Sequence, residues 1–518
     1  MPTRMSTQVV PQLPKLGWWA DFDVSNDSLS VLHGTSVELG DGFLVEGVWD
    51  GEFSLGEFHR SEAFFGSGIR LEDGDVYFVA SSATVDRLFI CQDGSHVFAS
   101  NSLLIMLAQI EATLNPDLDY RRQTMSMMEG IDCENNRFPI RHKSIDYLTQ
   151  FTCKNAVVSN GEATYYRRDT TRSFDGFEHY FSELNSTLVR IGANYTDSSR
   201  ATNVRPFGTL STGYDSTAVT CLSREIGVKE CFTYTGSWSK RSTNDPAFDA
   251  RPIASALGVE VISLNSSGFR SAVDEQFMQA ASRLGAQTKL LPLAAHIESH
   301  CDSAVLFTGY HGGSVWGMNP KASLVGRALK KRDVSGLDLA ELRLKSGFVN
   351  VPVPFIFASN IESILAVSRA KDMAPWRLNT GYDRPIPRRI LEEAGVDRYL
   401  FGTEKAAVFN RYSRPANTSL RLDFEDYLQQ ELGIGKGYIY ARLIVDRVTD
   451  IVLKSLLKFV SRVRVFRSAR SRLQLMQHQL AEGISPICFR VNFKTLLYRW
   501  SVSSAVDRIK SGSLYPDC

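Results

Sequence analysis

The chain has 518 residues, enough for about two to four domains, and its 43% hydrophobic and 22% charged residues, with 37 Gly and 18 Pro, are those of a globular protein. Disordered, collagenous and coiled-coil readings are excluded. Net charge is +1, which excludes a general nucleic-acid coat, but from Lys436 onward fifteen Lys and Arg face five acids, a net +10 that leaves −9 for the rest.

Such asymmetry suggests an appended region with its own partner. No apolar run approaches the roughly 20 residues of a membrane span, and no apolar core with a small-residue cleavage site follows Met1. The eight Cys form no CxxC pair and no ladder of short spacings. A cytoplasmic chain with reduced, mostly buried thiols is the expectation.

In chain order, the first ~170 residues are Gly-punctuated β patterns, among them Phe43 to Trp49, Val76 to Ala80 and Arg87 to Cys91, which predict an antiparallel β-rich domain. Leu148 to Thr152 and Ala163 to Tyr166 close it, separated by the turn signal Ser159-Asn160-Gly161. Tyr180, Phe181, Leu184, Leu188 and Ile191 recur at helical spacing, predicting a helix over 178–193. Strands and helices then alternate: strand 206–210, helix 216–226, strand 230–235, helix 246–257, strand 259–264, helix 290–299, strand 304–308. This rhythm predicts a parallel sheet with helices on its faces and a ligand at the carboxyl ends of its strands.

Between the first parallel strand and its helix the chain reads Gly208-Thr-Leu-Ser-Thr-Gly-Tyr-Asp-Ser-Thr217. Backbone N–H groups of Ser211 to Ser216 can cradle a phosphate, Gly213 leaves room for the anion, and the Ser211 and Ser216 hydroxyls can donate to it. Thr212 and Tyr214 complete the loop. Asp215 would repel that anion unless it holds Mg²⁺ against it. Leu210, Thr235 and Gly309, at strand ends, join this expected ATP and pyrophosphate site. The competing reading is a helix capped by Ser211 for structural reasons alone. The Lys of a GxxxxGK[ST] loop is missing, so this is not a Walker motif.

Ser211-Thr-Gly-Tyr-Asp-Ser216 resembles the SGGxDS loop of the N-type ATP pyrophosphatases, with Thr212 in place of the first Gly. Asn244 to Gly258 is similar to the helix after the second strand in asparagine synthetases, and Val305 to Gly317 to their "LsGxGxDElfgG" loop. Tyr382-Asp-Arg-Pro-Ile-Pro-Arg-Arg389, leading to Phe401-Gly-Thr-Glu-Lys405, is similar to the family's last block. Phe98-Ala-Ser-Asn-Ser-Leu-Leu104 and 136–166 resemble a class II glutaminase domain. The resemblance covers roughly residues 30–415. It implies three parts: a degenerate glutaminase-like, antiparallel β-rich Ntn-like sandwich at 1–170, a doubly wound PP-loop synthetase domain at 171–430, and a basic helical extension at 431–518.

The sequence departs from the family twice. A glutaminase of this class uses an N-terminal Cys, whereas this chain begins Met1-Pro2-Thr3 and has no Cys before Cys91. The resemblance is therefore to relatives that lost glutamine hydrolysis, such as β-lactam synthetases and lasso-peptide cyclases. Gly313 and Ser314 stand where the family places Asp-Glu, so a second metal ligand is missing. Tyr310, His311 and Ser314 are the nearest substitutes.

The implied chemistry is AMP-forming carboxylate activation followed by amide formation, with ATP and Mg²⁺ as cofactors, Asp215 as metal ligand and Lys405 as the cation at the reacting centre. His311 is the candidate general base for the incoming amine. Arg384, Arg388 and Arg389 are either anion binders or a solvated helix face. His296 and His300, spaced i, i+4, are read as packing or surface residues, since no third ligand is in sight.

The expected substrate is a specialised saccharide, peptide or small-molecule carboxylate, as in surface polysaccharide or natural-product assembly, with the amine unassigned. Residues 439–480 read as cationic amphipathic helices, suited to peripheral contact with the inner membrane surface or to a solvated face on the synthetase domain. Nucleic acid is the less favoured partner, and a homodimer is compatible. The alternatives are a catalytically inactive nucleotide-binding interaction protein and an RNA-modifying PP-loop enzyme.

Overall fold

A computed structural model describes residues 4–121, 126–127, 134–159, 161–168, 171–234, 249–264, 271–281, 287–318, 336–378, 380, 382–402, 414–441, 444, 448 and 493–515. Two sheets build the N-terminal part. The first runs, in spatial order, Arg4–Val9, Ser28–His33, Trp18–Asp23, His96–Ser100, Leu88–Asp93, Tyr147–Phe151, Arg137–Arg141 and Thr113–Leu114. The second runs Glu162–Tyr166, Asn155–Ser159, Asp75–Val79, Phe65–Glu72, Phe43–Val48 and Glu38–Gly40. Every pairing is antiparallel except that of Arg4–Val9 with Ser28–His33.

Side chains alternate across each strand. Trp18, Ala20 and Phe22 of the first sheet therefore meet Leu44, Ile69 and Phe78 of the second in one apolar layer. The outer face of the first sheet is covered by the helix Leu103–Gln109, and that of the second by aromatic residues around Trp49, Phe53 and Phe58.

The second part is a five-stranded parallel sheet in the order Glu260–Leu264, Glu230–Tyr234, Val204–Thr209, Ser303–Thr308, Phe348–Pro352. Ser303–Thr308 and Phe348–Pro352 are buried along their whole length, and a strand buried on both faces reads as a short continuous apolar run, as Ala304 to Phe307 does. Val305, Phe307, Val349 and Val351 enter one core with the helices Phe177–Tyr195, Tyr214–Ser223 and Ile361–Arg369. Ala304, Leu306 and Phe348 enter another with the helix Leu291–His300. In chain order the strands stand third, second, first, fourth, fifth, so the order reverses between Val204–Thr209 and Ser303–Thr308.

The expected strands and helices fall within a few residues of those observed. The helix expected over 246–257 is described as Arg251–Leu257, and 246–248 lie outside the described residues. The fifth parallel strand and the helix Ala272–Ala281 were not anticipated. Phe348-Val-Asn-Val-Pro352 has an Asn in an apolar run that ends in Pro, so it carries no strand period.

The two parts are joined by buried charge. Arg343, 1% exposed, donates Nη1 to Glu46 Oε2 at 2.7 Å and Nη2 to Glu46 Oε1 at 2.9 Å, and its Nε binds Asp86. Glu341 accepts from Ser102 Oγ at 2.6 Å and Leu103 N at 2.8 Å. The helix Phe493–Lys510 returns to this body: Ser501 Oγ donates to Gln279 Oε1 at 3.2 Å, and Val502, Ala505 and Val506 join the core over the first sheet. Most of 439–480 lies outside the described residues; Tyr440, Ile444 and Val448 are exposed. Among the described residues no helix is long and apolar enough to cross a membrane.

Candidate functional site

A doubly wound sheet opens a crevice at the carboxyl end of the two strands between which its order reverses. Here those strands end in Leu210–Gly213 and in Gly309–His311. Leu210 N donates to Phe232 O at 2.9 Å, holding the first loop to the sheet. The helix Tyr214–Ser223 begins at Gly213, and no side chain caps it. Ser211 is thus not the N-cap: its Oγ accepts from Gly213 N at 3.1 Å and lies 2.6 Å from Ser216 Oγ. Thr217 Oγ1 donates to Ser211 O at 2.6 Å and to Gly213 O at 2.5 Å, folding the loop over the helix start. Ser211 is exposed, while Thr212 and Tyr214 are buried.

The second loop fits against the first because Gly309 has no side chain. A Cβ there would stand 2.5 Å from Ser216 N and 2.7 Å from Asp215 C. Backbone cannot give way as a flexible side chain can, so Gly309→Ala is expected to push the loops apart, costing about 1–3 kcal/mol. A lowered melting temperature together with weakened ATP binding would show it; an unchanged protein would mean the loops are not locked. A Cβ at Gly312 would likewise stand 2.4 Å from the Asp215 carboxyl carbon.

Asp215 is in the first turn of its helix with its side chain 23% exposed, within reach of a ligand. Arg384, whose side chain is 7% exposed, places Nε 3.8 Å from Asp215 Oδ1. Its guanidinium also lies 5.4 Å from the Tyr382 ring centre. Burial first, and the negative charge of Asp215 second, push the Tyr382 phenol up to about 12, so it stays a neutral donor near Gly213. Tyr214 is fully buried, binds Arg388 through its hydroxyl and packs on Tyr382 and Phe401. Burial raises its phenol above the ordinary value, against the pull of Arg388. Gly402, at φ +70°, donates its N–H to Thr212 O at 2.8 Å and brings the last block of the sequence onto this loop.

The structure therefore brings together Leu210, Ser211, Thr212, Gly213, Tyr214, Asp215, Ser216 and Gly309. Thr235 and Lys405 lie outside the described residues. His311 is turned away: at 3% exposure, its Nε2 is 3.4 Å from Thr84 Oγ1 of the sandwich and its ring is 5.0 Å from Phe355.

The three arginines separate. Arg384 faces Asp215, Arg388 braces Tyr214, and Arg389 pairs with Glu178, Glu393 and Asp372 over Phe177. His296 and His300 stack at 4.1 Å, with His296 against Phe207 and Phe232. Burial, then His300, lowers the His296 pKa, which suits a packed neutral ring. Tyr382 and Thr84 were not singled out as site neighbours in the sequence; the run Tyr382-Asp-Arg-Pro was the one available signal for Tyr382.

No group of three or more His, Cys, Asp or Glu among the described residues could hold a metal ion. One carboxylate, a set of hydroxyl and amide donors and one buried arginine can instead meet a polyphosphate that brings its own cation. Comparison with protein-family models finds no match, and comparison with curated proteins finds none.

Proposed function

We propose that the protein is an ATP-dependent, AMP-forming ligase of the asparagine synthetase type, which adenylates a carboxylate and passes the acyl group to an amine. The carrying observation is the pair of loops at the reversal of the sheet, where Gly309 rests on an uncapped helix start and Asp215 stands beside Arg384.

In this reading a carboxylate oxygen attacks the α-phosphorus of ATP, the bond to the β-phosphate oxygen breaks, and pyrophosphate leaves. An amine then attacks the acyl carbon, AMP departs, and the amine loses a proton. The helix-start amides and the Ser211 and Ser216 hydroxyls bind the leaving pyrophosphate, where charge develops. Arg384 adds a fixed cation, and Lys405 is the second cation by the resemblance. A Mg²⁺ carried in with the triphosphate fits Asp215 as its protein ligand and would supply further charge stabilisation when bound. The stretch Gly309–Gly317 carries no acid to hold a second ion. The burial of His311 against Thr84 supports a positioning role at the junction rather than proton transfer in the crevice.

The test is product analysis with Mg-ATP and pools of uronic acids, peptides and small carboxylates. AMP and pyrophosphate in equal amounts with one pool support the ligase, and splitting that pool identifies the acid. ATP binding with no AMP from any pool would instead favour a nucleotide-binding interaction protein.

A further inference from the structure

After the helix Thr418–Leu432 the chain turns at Gly433, φ +62°, and residues 436–441, 444 and 448 are again helical. Ile439 anchors this stretch: it is 2% exposed and packs with Phe424, Leu428 and Trp500. The support beneath it is fastened in turn, since the Glu275 carboxylate, on the helix Ala272–Ala281, accepts from Ala416 N at 2.6 Å and from Asn417 N at 2.8 Å.

A helix turns by about 100° per residue, so positions 440, 444 and 448 stand about 100°, 140° and 180° round from Ile439. On that outward side Tyr440 is 52% exposed, Ile444 63% and Val448 52%. Single exposed apolar residues are ordinary; three at i, i+4 and i+8 form one stripe. The sequence around them is cationic. Residues 436–472 hold ten Lys and Arg against two acids, Asp446 and Asp450, a net +8, and Lys436 is exposed at the start of the stretch.

We infer that this stripe docks on an anionic bilayer surface. Tyr440, Ile444 and Val448 enter the boundary between headgroups and acyl chains, and the net charge of the segment draws the protein to negative headgroups. Charge and apolarity together choose the occupant. A second copy would bring +8 against +8. An RNA offers phosphates to the cations and leaves the aliphatic stripe in water, whereas an anionic bilayer meets both features. Docking needs no nucleotide and stands apart from the ligase reading.

The experiment is co-sedimentation of the full chain with vesicles of phosphatidylcholine alone and with about one-third phosphatidylglycerol, with a single-stranded RNA titrated in parallel. Binding to the anionic vesicles is expected to be about tenfold or more tighter than to the neutral ones and to weaken as salt rises. The double variant Ile444→Ser, Val448→Ser keeps the net charge and should lose about tenfold or more of that affinity. Both positions are exposed, so its melting temperature should match that of the parent. No sedimentation with anionic vesicles at low salt, or equal affinity of parent and double variant, would overturn the inference. So would RNA binding tighter than vesicle binding, or a dimer of the parent in solution that the double variant fails to form, since these give the surface to another occupant.

Discussion

Asp215→Ala is expected to lower AMP formation by at least about a hundredfold, the usual scale for loss of a group that stabilises developing charge, while leaving the protein folded. Asp215 stands at the helix start with its side chain 23% exposed and Arg384 3.8 Å away. Its structural contribution is a first-turn acid on the helix dipole, about 0.3–1 kcal/mol. The predicted signature is thus a large kinetic loss beside a small shift in melting temperature. An Asp215→Ala enzyme that still forms AMP at the original rate would remove this carboxylate from the chemistry.

Arg343→Met should produce the largest loss of stability. Glu46 and Asp86 sit at 2% and 3% exposure, and Arg343 is paired with both. Taking away the cation leaves two buried carboxylates, at a cost of about 3–5 kcal/mol. The loss should be pH dependent, and its sign can be worked out. Burial raises the Asp86 pKa from 3.8 to about 6 even though Arg343 pulls it down. The native state then holds that proton more tightly than the unfolded chain. The resulting stabilisation is complete below the unfolded value of 3.8 and lost as pH rises through about 6. Without Arg343 the Asp86 proton is held more tightly still, so the deficit of the variant should shrink on acidification toward pH ~5. Melting temperatures across pH decide it: equal deficits at both ends would mean that Asp86 takes up no proton.

The strand Ser303–Thr308 was legible because burial on both faces leaves the run Ala304-Val-Leu-Phe-Thr308, and the crevice loop was legible because only close approach to a ligand or backbone needs so many small residues together. Other features had no local trace. Arg343 meets Asp86 across 257 positions and Glu46 across 297, so nothing near any of them announces the partner. His311 could be placed beside the crevice from its neighbours, but the direction of its ring is set by Thr84, a residue of the other part of the molecule. The role of Gly309 was visible only as a strand end; what its missing side chain accommodates is the backbone of Asp215 and Ser216. Arg384, Arg388 and Arg389 look alike in sequence and differ solely in what each meets.

The return of the C-terminal helix has a practical outcome. Tyr515 donates its hydroxyl to Lys345 O at 2.8 Å and accepts from Lys15 N at 3.2 Å, while Gln276 Nε2 donates to Ser504 Oγ at 2.6 Å. The last described segment is thereby tied at once to the start of the chain and to the helices beside the parallel sheet. Neither half can be excised with its native surface intact, and cutting the chain after the crevice strips apolar cover from the first sheet. The molecule should melt as a single cooperative unit, so dissection by point substitution, rather than by isolated fragments, is the sound way to assign its parts.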